Sequence, residues 1–173
     1  MTLHYKITFY DYWHLSSGLS SGAKLDASVV KDRDNLPYAP AKTIKGLVRE
    51  ILEAQGRDIE FMHKCYFANA TLNKKSKEQI VSNQLQDHLY DVIASTKIGE
   101  KGKKDEVQGI AVDNTLREIE VVIPIELEGK ILDIPSQHEY DILIHGLSKI
   151  KRMGLNRNRG LGRCIFSENT EEK

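Results

Sequence analysis

The chain has 173 residues, and at roughly 100 to 200 residues per domain that length predicts one folded unit, or a small domain carrying a long insertion. Apolar residues make up 40% and charged residues 29%, enough to bury a core and too little biased for a disordered or collagen-like chain. The 25 basic and 25 acidic side chains cancel, which excludes a globally basic nucleic-acid coat and leaves the local distribution of charge to be read.

Leu3, Tyr5, Ile7 and Phe9 alternate with His4, Lys6, Thr8 and Tyr10, so the chain opens with a half-buried strand. His4, Lys6 and Asp11 interrupt any apolar run there, so neither a signal peptide nor an anchor is expected, and the chain lacks the roughly 20 apolar residues a membrane span needs. A loop rich in Ser, Gly and Asp follows from about His14 to Pro40. Ile44, Leu47, Val48, Ile51 and Leu52 then recur at helical spacing, with Gly56 as the residue that ends the helix. Gly46 inside it costs roughly 1 kcal/mol against alanine and is expected to mark close approach by another backbone.

The stretch from about 57 to 112 reads as an irregular central insertion. Its polar runs, NKKSKEQ and GEKGKKDE, read as solvated loop, or as a mobile arm touching a polyanion. From Glu118 a single strand is expected, with Ile119, Val121, Ile123, Ile125 and Leu127 on one face; Pro124 places it at a sheet edge or marks a bulge. Ser136 and Glu139 form a capping-box pattern before a helix whose stripe is Tyr140, Leu143, Ile144, Leu147 and Ile150. Lys149, Lys151 and Arg152 are expected in its last turn, with Gly154 closing it, and a short strand from Cys164 to Phe166 follows. The order strand, helix, strands, helix, strand predicts an α+β fold: a ferredoxin-like (RRM-like) antiparallel sheet with two helices on one face.

Charge is unevenly placed. Residues 149 to 163, KIKRMGLNRNRGLGR, hold six basic side chains and no acid, whereas 113 to 141 carry eight acids against Arg117 and Lys130. Arg152, Arg157, Arg159 and Arg163 with Asn156, Gly160 and Gly162 form a candidate phosphate-binding loop, since arginine clamps phosphate bidentately and glycine lets backbone N–H groups approach an anion. Running from helix into strand without a Gly-Lys-Ser/Thr ending, it is not a Walker-type loop. Lys42, Thr43, Lys45 and Arg49 gather at the start of the first helix, where the positive dipole end adds to the attraction for phosphate. The same residues fit a plain connector and a tightly packed helix. Cys65 and Cys164 lack paired-ligand spacing and cannot build a disulfide framework, so a reduced, cytoplasmic setting is expected. His63 with Cys65 is a poor zinc pair, and His4, His88, His138 and His145 show no ligand spacing.

These segments resemble the RAMP superfamily of CRISPR-associated proteins, in particular the backbone subunits of type III RNA-guided effector complexes. LPYAPAKTIKGLVRE, Leu36 to Glu50, is similar to that family's Leu-Pro-Tyr segment followed by a Leu-Lys-Gly-x-x-Arg helix start. MGLNRNRGLGRCIF, Met153 to Phe166, resembles its C-terminal glycine-rich loop, and DNTLREIEVVIPIELEG, Asp113 to Gly129, the segment leading from its thumb into a long strand. Ala41 and Asn35 stand where the family usually has glycine. The resemblance implies guide RNA, target RNA and other effector subunits, copies of the chain included, as partners, with no role for a membrane.

It also gives Asp26 a meaning, because Asp26 precedes Val29, Val30, Lys31 and Asp32 as the family's loop aspartate precedes its Val-Ile-Arg-Asp segment. That aspartate implies cleavage of guide-paired target RNA with a divalent metal such as Mg2+ or Mn2+, held in part by the carboxylate. On the residues alone, Asp26 reads as an ordinary loop cap. Two alternatives stay open: a non-catalytic guide-RNA scaffold, and a repeat-processing RNA endonuclease using His14 for acid/base work.

Overall fold

The computed structural model of the chain describes residues 1–16, 18, 26–99, 109–112 and 115–170. β1, Leu3–Phe9, alternates buried and half-buried residues as its sequence predicts. α1, Ala41–Ala54, buries Ile44, Val48 and Leu52, and Gly56 follows it with φ 68°.

The central region is more ordered than its composition implies. It contains a 3-10 turn at Glu60–His63, the two-residue strand β2, Tyr66–Phe67, the helix α2, Lys74–Ser82, and a 3-10 turn at Gln86–Leu89. β3, Tyr90–Ser95, completes it. The expectation of an irregular insertion over 57–112 is corrected to that extent. NKKSKEQ forms α2 because Asn73 Oδ1 accepts from Ser76 N at 2.8 Å and caps the helix; α2 buries no residue, so no apolar period announces it. Most of the second polar run, 100–106, lies outside the described residues.

The expected single strand over 118–127 is two strands in two sheets. β4, Arg117–Val122, pairs with β3 in a two-stranded sheet, while β5, Glu126–Leu132, joins β1. Pro124 sits in the break, where its missing N–H removes a ladder bond at little cost. The alternation runs on through the junction because both sheets bury the same phase of side chains.

α3, Gln137–Lys149, buries Leu143, Gly146 and Leu147. It ends at Lys149, so Lys151, Arg152 and Gly154 lie beyond it rather than in its last turn. The Ser136 hydroxyl hydrogen-bonds the Glu139 carboxylate and not the backbone, so the reciprocal capping box does not form. Gly46 does not meet another backbone: an added Cβ there would face open space. The close helix contact is at Gly146, where a Cβ would lie 3.2 Å from Val48 Cγ1 on α1.

β6, Cys164–Glu168, completes a four-stranded sheet in the order β2-β5-β1-β6, every neighbouring pair antiparallel. Ile7 stands across from Leu127 on one side and Phe166 on the other, and Leu3 from Ile131, which faces Phe67. One face of the sheet is therefore a continuous apolar layer, and each such large side chain contributes roughly 1.5–3 kcal/mol on burial. On the other face Thr8 Oγ1 donates to Glu126 at 3.0 Å and Lys6 Nζ lies 3.6 Å from the same carboxylate. The small sheet is tied to the large one through Trp13, whose N–H and carbonyl both bond Val122, at 3.0 and 2.8 Å. No helix among the described residues is long and apolar enough to cross a membrane.

Candidate nucleic-acid interface

The residues after β1 and the loop before β6 are built as one backbone unit. Tyr10 N donates to Arg163 O at 2.9 Å, Gly162 N to Tyr12 O at 2.8 Å, and Leu155 N to His14 O at 2.9 Å. Inside the loop Met153 N donates to Gly162 O at 3.0 Å and Cys164 N to Lys151 O at 3.0 Å, closing 151–164 into a narrow hairpin.

Such close passage explains two of its glycines. A Cβ on Gly154 would stand 2.3 Å from His14 O, and one on Gly162 only 2.0 Å from Met153 O; both carry positive φ, 94° and 70°. The N–H of Gly162 is thus committed to Tyr12. Gly160, φ 93°, has nothing near its Cβ position and lies on the exposed tip.

The arginines are displayed by this frame. Arg152, Arg157, Arg159 and Arg163 are all exposed, while Asn156 turns the chain with φ 55° and its carbonyl accepts from Arg159 N at 2.8 Å. Arg163 pairs with Asp11, Nε to Oδ2 3.4 Å, and Arg152 Nη1 reaches Arg157 O at 3.4 Å. Arg157 and Arg159 form no ion pair among the described residues.

The cluster at the start of α1 is arranged differently. Lys42 is exposed, but Lys45 Nζ donates to Met62 O at 2.7 Å and lies 5.4 Å over the Phe67 ring. Arg49 Nε pairs with Glu53 at 2.8 Å, and the N–H of Ala41 is capped by Asn69 Oδ1 at 2.9 Å. Thr43 is half-buried, its N–H donating to Pro40 O at 3.0 Å. No hydrogen bond or ion pair among the described residues joins this cluster to the arginine loop.

Asp26 lies on the exposed rim of the small sheet. Its N–H donates to Glu118 O at 2.9 Å and its Oδ2 accepts from Glu118 N at 2.8 Å, so Asp26 closes a two-bond clasp on β4 that does not use Oδ1. Among the described residues no three His, Cys, Asp or Glu side chains gather as metal ligands. A divalent cation of the Mg2+ type needs only one or two protein carboxylates when substrate phosphates and water fill its shell, and Oδ1 fits that minimal role.

His14 is fully buried. Its Nδ1 lies 2.6 Å from Glu120 O, which as a carbonyl can only accept, so Nδ1 carries the proton; Nε2 is buried without a partner among the described residues. It has no surface on which to meet a substrate, and its geometry fits a role in holding the backbone.

Glu120 falls on the polar phase of β4. In the structure its carboxylate accepts from Val29 N at 2.9 Å and from Lys31 Nζ at 2.7 Å, while Lys31 sits 3.8 Å over the Tyr90 ring. Burial, then the Glu120 charge, push the Tyr90 hydroxyl upward. Nothing in the alternation of β4 distinguishes Glu120 from Glu118, because its partners are about 90 residues distant. Asp11, Asn69 and Tyr10 were likewise without a local signal.

The chain resembles a number of solved structures, two of them type III-B Cmr-beta assemblies. Type III-B Cmr-beta bound to cognate target RNA matches with a TM-score of 0.73 and 11% identity over 97% of each chain. The apo state of type III-B Cmr-beta matches with a TM-score of 0.69 and 12% identity over 99% of this chain and 98% of that one. At these identities the likeness is one of fold. No curated protein matches the chain. The sequence model of the RAMP superfamily matches residues 6–165, nearly the whole length, and the chain belongs to that superfamily.

Proposed function

We propose that the chain is a subunit of a type III RNA-guided effector complex that holds guide RNA by its phosphates on the arginine loop. The observation that carries this is the hairpin 151–164, which the backbone of residues 10–15 holds in place while Arg157 and Arg159 stay exposed and form no ion pair among the described residues. Rigid display keeps the entropy lost on binding small, and charge on phosphate needs no base identity. A similar structure is a complex with cognate target RNA, which supports RNA as a partner here. We read the sheet as ferredoxin-like within a single domain: β1-α1-β2 and β5-α3-β6 are two strand-helix-strand units, and the order β2-β5-β1-β6 interleaves them.

In this reading Asp26 is the catalytic residue for cleavage of guide-paired target RNA. Oδ1, the oxygen that Glu118 does not use, would hold a divalent metal or orient the 2′-hydroxyl toward the adjacent phosphate. A bound cation would supply charge stabilisation at the phosphate. The scaffold reading, with Asp26 serving only as the clasp on β4, rests on the same two hydrogen bonds. The burial of His14 weighs against the repeat-processing reading. The test is the nucleic-acid content of the assembly purified with its neighbouring subunits. A short guide RNA in defined stoichiometry is expected, and an assembly that forms without RNA refutes the proposal.

A further inference from the structure

The five residues Phe9 to Trp13 sort themselves in an unusual way. Phe9 and Trp13 are buried and stack on each other with ring centroids 4.5 Å apart, while Tyr10 is 48% exposed and Tyr12 37%. A single surface tyrosine needs no explanation. Two of them, on either side of one acid and on backbone bonded to the arginine loop, do.

Both tyrosines are anchored through that backbone, Tyr10 N to Arg163 O and Tyr12 O to Gly162 N. The Tyr12 hydroxyl donates to Asp91 at 3.2 Å, and the Arg163 guanidinium lies 5.6 Å from the Tyr10 ring centre while paired with Asp11. The rings are therefore held in place. Arg159 is three residues from Gly162, so chain length alone keeps their Cα atoms within about 11 Å.

The local charges divide the work. Asp91 accepts from the Tyr12 hydroxyl and would repel a phosphate there, and Asp11 offsets the Arg163 charge beside Tyr10, whereas the flat face of a base carries no net charge and stacks on any aromatic ring. We infer that Tyr10 and Tyr12 form a stacking platform for unpaired RNA bases whose phosphates lie on the arginine loop. The inference rests on the phosphate-binding reading above and adds what is recognised beside it: unstacked bases, without regard to their identity.

The experiment compares binding of the full chain to a single-stranded RNA oligonucleotide and to an abasic strand of equal length. The double variant Tyr10→Ala/Tyr12→Ala is expected to bind the base-bearing strand at least about fivefold more weakly and the abasic strand unchanged. Tyr10→Phe/Tyr12→Phe, which keeps both rings, retains wild-type affinity and controls for folding. Equal affinity of the alanine variant and wild type for the base-bearing strand, or an equal loss on both strands, overturns the platform. If Arg157→Ala/Arg159→Ala weakens both strands alike while the tyrosine variants change nothing, the platform falls and phosphate binding stands. Absence of any salt-sensitive binding by the wild type overturns both.

Discussion

His14 donates its Nδ1 proton to the carbonyl of Glu120 at 2.6 Å, and its own carbonyl accepts from Leu155 N at 2.9 Å. One buried residue thus links the small sheet to the arginine loop. His14→Ala should lower stability by about 2–3 kcal/mol, since it strands a buried carbonyl and opens a void. His14→Asn, which keeps a donor at the δ position, should recover part of that loss. Chemical denaturation of both variants measures it, and a fully stable His14→Ala protein contradicts this role.

The glycines of the loop should differ in their tolerance of a methyl group. Gly154→Ala and Gly162→Ala place a carbon against the carbonyls of His14 and Met153 and should melt well below wild type. Gly160→Ala meets nothing and should cost only the left-handed strain, about 1–2 kcal/mol. Thermal melts of the three variants give the ranking.

Arg157→Ala with Arg159→Ala should weaken RNA binding similarly for unrelated sequences. With roughly 0.7 units of log–log salt slope per phosphate contact on a single strand, the pair should flatten the slope by about 1.4. Lys45→Ala should instead leave the slope in place and lower stability, because its ammonium is bonded to the Met62 carbonyl. Titrations at several salt concentrations separate the two.

Asp26→Asn keeps an oxygen to accept from Glu118 N and removes the charge. Loss of target cleavage with guide binding and melting temperature unchanged is expected, and chelation of divalent metal should mimic it. Cleavage that survives in Asp26→Asn places the chemistry elsewhere and leaves the clasp as the whole role of this residue.

Burial pushes the Cys164 thiol from about 9 up to about 12. Between those values the unfolded chain releases a proton that the folded chain retains. The contribution is therefore fully present below pH 9 and is lost as pH rises toward 12. Cys164→Ala should show a shallower fall in stability across that window in urea melts at graded pH.

The sequence by itself determined β1, α1, α3 and β6, because their signals are local: period two in Leu3 to Phe9, helical spacing in Ile44 to Leu52 and Tyr140 to Leu147. It also determined that residues 149–163 are cationic. Only the tertiary structure decided that the strand reading through Pro124 serves two sheets, since alternation records which face is buried and not which partner pairs. It decided that Gly154 and Gly162 serve backbone contact, that Lys45 and Arg49 are engaged within the chain, and that Glu120 holds Val29 and Lys31. Each of these turns on two groups meeting within about 3 Å, most of them far apart in the chain, and residue type alone carries no record of that distance.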